Sequence, residues 1–84
     1  MKNIKVKFFG AESWCQSCVK MKPFFIEECK KLKVPYEILD VEDNVEETEK
    51  YIIRNVPTLL IMDGNKVIGR ESGSLSYTKI KNYL

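Results

Sequence analysis

The chain has no histidine and only three cysteines among its 84 residues. A structural zinc site wants four ligands, typically two cysteine pairs or one pair with histidines. One chain lacks those donors, so no resident metal and no cofactor are expected; a zinc site shared between two chains stays open. Three cysteines also fall short of the even-numbered disulfide framework of small secreted domains. No apolar run approaches the ~20 residues that cross a bilayer. A net charge of +2 is too small to argue for a nucleic acid or a membrane as partner. The N-terminus, Met1-Lys2-Asn3-Ile4-Lys5-Val6-Lys7, alternates where a signal peptide would be continuously apolar, and it has no small-residue cleavage site. These absences point to a cytoplasmic protein, read here as a monomer.

The length leaves room for one small domain, expected to span 1–84, with most apolar residues committed to packing. Lysines gather at 2, 5, 7, 20, 22, 30, 31 and 33, while Glu37 to Glu49 is acidic. The two poles could steer a charged partner, or they are simply solvated helix faces and loop edges.

Ile4, Val6 and Phe8 alternate with lysines as far as Phe9, the pattern of a strand. From Cys15 the period changes. Cys18, Met21, Phe25, Cys29 and Leu32 step by three or four and share one helix face. Pro23 should kink that helix without ending it, because the apolar stripe resumes beyond it. Val34-Pro35 breaks the chain, and Tyr36 to Val41 forms a second strand, parallel to the first because a helix connects them. Asn44 and Glu47 suggest a capping box for a second helix over 45–54, with Glu46 paired to Lys50 and with Val45, Thr48 and Ile52 inward. Thr58 to Met62 is a third strand, Asp63-Gly64-Asn65 a hairpin turn, and Lys66 to Glu71 an antiparallel return. Ser74 then caps a final helix carrying Leu75, Tyr77, Ile80 and Leu84. The order is β-α-β-α-β-β-α: an α/β fold with a four-stranded sheet and helices on both faces.

Chemistry concentrates in Trp14-Cys15-Gln16-Ser17-Cys18. Two thiols at this spacing in the first turn of a helix can close into a disulfide. Exposed amides and the positive dipole end stabilise a thiolate at Cys15, the expected nucleophile, typically about 1–5 units below the pKa of a free cysteine. Cys18 lies one turn deeper in the apolar stripe and would act second, resolving a mixed disulfide. Cys29 lies about 16 Å along the helix from Cys18, too far for a disulfide, and reads as an inert core residue rather than a regulatory thiol. Trp14 stands outside the stripe, which favours a rim beside the sulfur over a core position. Pro57 admits two readings: a trans proline that starts a strand, or a cis Val56-Pro57 bond that exposes the Val56 backbone to an extended substrate.

At this point the chain resembles the thioredoxin and glutaredoxin superfamily over nearly its whole length. Trp14 to Cys18 matches W-C-x-x-C, Pro23 falls where thioredoxins carry a kinking proline, and Arg54-Asn55-Val56-Pro57-Thr58-Leu59-Leu60 is similar to R-G-I-P-T-L-L. Gly73 takes the place of the glycine beside the substrate groove. The resemblance implies a minimal thioredoxin fold with a mixed sheet flanked by three helices. It also implies a cis Val56-Pro57 bond, and Trp14, Val56, Pro57 and Gly73 around the nucleophile, holding an extended peptide or glutathione.

Three departures qualify it. The additional strand and helix that open thioredoxins have no room before Ile4, which makes the outline glutaredoxin-like. Phe8 and Phe9 fill the stretch where thioredoxins bury an aspartate, and Ile38 replaces its lysine partner; the usual acceptor for the Cys18 proton is missing, and Glu12 or a water molecule could substitute. Gln16-Ser17 and Gly69-Arg70 do not reproduce the glutaredoxin C-P-Y-C or its glutathione-gripping Gly-Gly. The expected function is reduction of protein disulfides in cell redox homeostasis, with ribonucleotide reductase as a natural type of substrate and a thioredoxin-reductase-like electron donor. A glutathione-dependent glutaredoxin is the alternative, and a redox-inactive binding module the third reading.

Overall fold

The N-terminal alternation becomes β1, Ile4–Gly10, in the computed structural model. The structure describes residues 2–84, so Met1, the first residue of the expected domain, lies outside it. Helix α1 spans Gln16–Leu32, β2 Tyr36–Asp40, α2 Val45–Lys50, β3 Thr58–Asp63 and β4 Lys66–Ser72, and a 3-10 helix over Ser76–Tyr83 follows. The sheet order is β2-β1-β3-β4. Strand β1 runs parallel to β2 and antiparallel to β3, and β3 pairs antiparallel with β4, which makes the sheet mixed as expected.

Because strand side chains alternate between faces, the two central strands feed two cores. On one face Val6, Phe8, Leu59 and Ile61 meet Cys18, Met21, Phe25 and Cys29 of α1 and Ile80 of the 3-10 helix. Phe8 and Phe25 pack with ring centroids 5.0 Å apart. The stripe read from the sequence is therefore the buried face of α1, and the helix runs through Pro23 without a break. It ends at Lys33, whose left-handed backbone (φ 57°) turns the chain while Val34 N–H donates to the Cys29 carbonyl at 2.9 Å. Lysines 30 and 31 in the last turn suit the negative end of the helix dipole. Burial, with the charge of Glu28 second, pushes the Cys29 thiol up to about 12, so it stays protonated and inert at neutral pH.

The other face buries Phe9, Leu39, Leu60 and Met62 under a thinner roof of Val41, Tyr51 and Ile53. This roof explains why α2 stops at Lys50 rather than continuing to residue 54. Tyr51 and Ile53 both turn toward the sheet, which requires the chain to break between them. Ile52 takes a left-handed backbone (φ 53°) and faces solvent. Arg70 of β4 secures the break by donating to the carbonyls of Tyr51 (2.6 Å) and Ile52 (3.2 Å). Neither Val45 nor Ile52 is buried, contrary to the expected stripe.

The expected capping box does not form either. Asn44 spends its side-chain amide on the Asp40 carbonyl at 2.9 Å, and Glu47 reaches across to Lys7 Nζ at 2.6 Å. Lys50 sits over the Tyr51 ring, 5.2 Å from its centroid, and no Glu46–Lys50 ion pair occurs among the described residues.

The C-terminal element is a 3-10 helix capped at Leu75, without the Ser74 side-chain cap expected. Its buried or half-buried Tyr77, Ile80 and Tyr83 recur every three residues, the 3-10 period, whereas Leu75 and Leu84 are exposed. Tyr83 lies over Gly69, next to the register shift in the β3–β4 pairing, and its hydroxyl donates to Glu71 Oε2 at 2.6 Å.

Two outcomes follow. A methyl group at Gly69 would fall inside the Tyr83 ring. Gly69→Ala should therefore destabilise the fold by about 1–3 kcal/mol in urea denaturation, and Tyr83→Ala in the same chain should relieve part of that cost. Burial lowers the Lys7 pKa, but the Glu47 hydrogen bond and the Glu47, Tyr51 and Glu37 charges outweigh it and raise the value overall. The pair's contribution is then complete below the unfolded lysine value of about 10.4 and is lost as pH rises through the higher folded value. Glu47→Gln should cost up to about 1 kcal/mol at pH 7, and the difference from wild type should shrink above that range.

Candidate active site

Strands β1 and β2 are parallel, so their C-terminal ends open on the same edge of the sheet, where α/β folds place their sites. The chain leaves β1 at Gly10, crosses that edge as Ala11–Trp14 and enters α1. The crossing is held on both sides. Glu12 N–H donates to Asp40 Oδ2 at 3.1 Å, Ser13 Oγ donates to Glu42 Oε1 at 2.6 Å, and Cys15 N–H donates to the Ala11 carbonyl at 2.8 Å.

Cys15 is the N-cap of α1, with extended backbone angles (φ −105°, ψ 97°). Its sulfur accepts the Cys18 backbone N–H at 3.2 Å, the bond that a serine or aspartate oxygen makes at this position. The first turn of α1 contains no acidic residue. Nothing on the helix itself offsets the positive end of its dipole, and that field acts on the Cys15 sulfur.

Cys15 and Cys18 are joined as a disulfide, with Cα atoms 5.3 Å apart, a normal separation for such a bond. Cys15 keeps 8% of its surface exposed and Cys18 3%. The sequence-based order of depth is therefore correct, although both sulfurs are well covered. Cys18 packs against Gly10, where an added Cβ would lie 3.4 Å from its sulfur and 2.7 Å from the Phe8 ring. Phe8 is buried in the core with Phe25, as befits its apolar side chain.

The Val56-Pro57 peptide bond is cis. The Val56 carbonyl oxygen lies 3.9 Å from Cys15 Sγ. Gly73, with φ 103°, donates its N–H to the Pro57 carbonyl at 3.0 Å, so the glycine loop is tied to the cis-proline loop that carries Val56 beside Cys15. Trp14, the residue before Cys15, is 62% exposed and lines a shallow cleft with Cys15, Gln16, Val19 and Lys20. It is not part of the core.

Several residues support the site in roles that the sequence reading did not assign. Thr58 is buried; its hydroxyl donates to the Asn55 carbonyl at 2.6 Å and lies 3.2 Å from Ser72 Oγ, tying the proline loop to β4. Ser76 Oγ donates to the Gly73 carbonyl at 2.7 Å and sits 3.6 Å from Met21 Sδ, tying the glycine loop to α1. Asp40 anchors the Glu12 amide and lies 28 residues away from it in sequence. Only the convergence of strand ends could have pointed to Asp40. Among the described residues, no group of three or more histidine, cysteine or acidic side chains is arranged to hold a metal.

Comparison with known proteins agrees with this geometry. The Thioredoxin family model matches residues 1–84. The thioredoxin of Buchnera aphidicola subsp. Acyrthosiphon pisum is 32% identical over 73 residues, which cover 84% of this chain and 68% of that protein. The H-type thioredoxin of Oryza sativa subsp. indica is 36% identical over 75 residues, covering 83% and 62%. Among solved structures, Plasmodium falciparum thioredoxin is similar with a TM-score of 0.88 at 26% identity, covering 100% of this chain and 85% of its own. Matched along its length and carrying a bonded cysteine pair at the head of α1, the chain belongs to the thioredoxin family and is a dithiol–disulfide oxidoreductase.

Proposed function

We propose that Cys15 is the attacking sulfur and Cys18 the resolving one, in a single-domain, monomeric, cytoplasmic protein that reduces disulfides in other proteins. The observation that carries this reading is the 3.2 Å hydrogen bond from the Cys18 amide to Cys15 Sγ, at a helix start free of acidic residues. It favours the anionic form of Cys15, and among the described residues Cys18 Sγ has no equivalent donor.

In the reduced protein the Cys15 thiolate attacks a partner disulfide and releases one partner thiolate. A mixed disulfide remains. Cys18 then attacks Cys15 Sγ, expels the second partner sulfur and closes the disulfide seen here. The partner gains the two electrons that the dithiol loses. Trp14, Val56, Pro57 and Gly73 hold the partner segment. With the Val56 carbonyl 3.9 Å from the sulfur, an extended chain pairing with the Val56 backbone would bring its own sulfur to Cys15. The exposed Trp14 adds apolar contact beside the sulfur.

The electron donor in this reading is a thioredoxin-reductase-like enzyme. The named relatives are thioredoxins, and the sequence lacks the Gly-Gly pair with which glutaredoxins grip glutathione. Glutathione remains the competing donor. Cys15→Ser should abolish insulin reduction, whereas Cys18→Ser should accumulate a mixed disulfide visible by mass spectrometry. Turnover by the Cys15 variant would refute the assignment. Side-by-side turnover with thioredoxin reductase and with glutathione plus its reductase should favour the former, and faster turnover with glutathione would replace this reading by the glutaredoxin one.

A further inference from the structure

Resolution requires Cys18 to lose a proton, yet its residue is only 3% exposed. A cleft of ≈ 40 Å³ reaches it. On the same measure a water molecule needs roughly 10–15 Å³, so the cleft can hold at least one. Its inner wall is apolar, formed by Phe8, Gly10 and Ile38, and its mouth carries Glu12 and Lys22. Gly10 leaves room in this wall, because a Cβ there would collide with the Phe8 ring and press on Cys18 Cβ.

We propose that the Cys18 proton leaves through this cleft, carried by a water molecule, to the carboxylate of Glu12. This rests on the reading of Cys18 as the resolving thiol. The charged groups lining the cleft are Glu12 from the loop after β1, Lys22 from α1 and Asp40 from the end of β2. Lys22 Nζ holds Glu12 Oε1 at 3.3 Å and keeps the carboxylate at the mouth. The Asp40 carboxylate is already engaged. The Glu42 and Glu12 backbone amides occupy its two oxygens, at 2.9 and 3.1 Å, and hold its pKa below the usual carboxylate value. Its part is to fix the Glu12 backbone, so Asp40 and Lys22 are positioning residues.

The atoms balance. The Glu12 carboxylate takes the proton from Cys18, and the resulting thiolate attacks Cys15 Sγ. The bond between Cys15 and the partner breaks, and the partner sulfur departs as a thiolate that solvent protonates. Glu12 returns its proton to solvent.

The test is stopped-flow reaction of the reduced protein with a chromogenic aryl disulfide, which releases one aryl thiolate when Cys15 attacks and a second when Cys18 resolves. Glu12→Gln should leave the first phase unchanged and slow the second about tenfold or more at pH 7. The wild-type second phase should level off once the carboxylate is ionised, whereas in the variant it should keep climbing with pH until Cys18 ionises unaided. Glu12→Asp should retain the plateau. A second phase in Glu12→Gln with the wild-type rate and pH profile would overturn the proposal. So would a slowing that is equal at every pH. Release of a single aryl thiolate by the wild-type protein would instead overturn the assignment of Cys18 itself.

Discussion

The structure depends on one backbone amide and the sulfur it meets. At a helix start, the first amides have no intrahelical acceptor, and a side chain at the N-cap supplies one. Here that side chain is a cysteine: Cys15 Sγ receives the Cys18 N–H at 3.2 Å. A capping contact that would ordinarily stabilise a helix now also favours a negative charge on sulfur. The residue whose amide makes the bond is the one whose thiol closes the disulfide, so a single turn of helix sets both the reactivity of the first cysteine and the reach of the second.

The remainder of the fold holds this turn in place. The buried stripe of α1 ties the helix to the sheet through Met21, Phe25 and Cys29, while Asp40 and Glu42 fasten the loop that leads into it. On the far side of Cys15, hydrogen bonds connect Pro57 to Gly73 and Gly73 to Ser76, beside α1. The opposite face of the sheet carries no part of the site and is covered lightly by Tyr51 and Ile53. Stability there comes from burial of the sheet and from Arg70 and Lys7 reaching to the segment beyond.

Much of this was legible in the sequence, because the decisive signals are local. The alternation of Ile4, Val6 and Phe8, the stripe from Cys18 to Cys29 and the Asp63-Gly64-Asn65 turn each specify their element without help from distant residues. The cysteine pair and the Val56-Pro57 and Gly73 positions were equally visible, by chemistry and by family resemblance. The failures share a cause. Helix α2 ends early because Tyr51 and Ile53 are drawn to Phe9 and Leu60, and the C-terminal segment winds as a 3-10 helix because Tyr77, Ile80 and Tyr83 meet the core at that period. Asn44 lost its capping role to the Asp40 carbonyl. In each case a tertiary contact overrode a local preference. Around the site, Gly10, Lys22 and Asp40 acquire meaning only when the ends of β1 and β2 lie side by side next to α1, an adjacency that no sequence window contains.

The most direct measurement is the ionisation of Cys15 by itself. In reduced protein carrying Cys18→Ser, the ultraviolet absorbance of the thiolate can be followed against pH, with buried Cys29 silent because its thiol titrates only near 12. The account predicts a midpoint at least about one unit below the 8.5 or so of a free cysteine. A midpoint at or above that value would contradict it, because the helix start would then confer no advantage on the sulfur it holds.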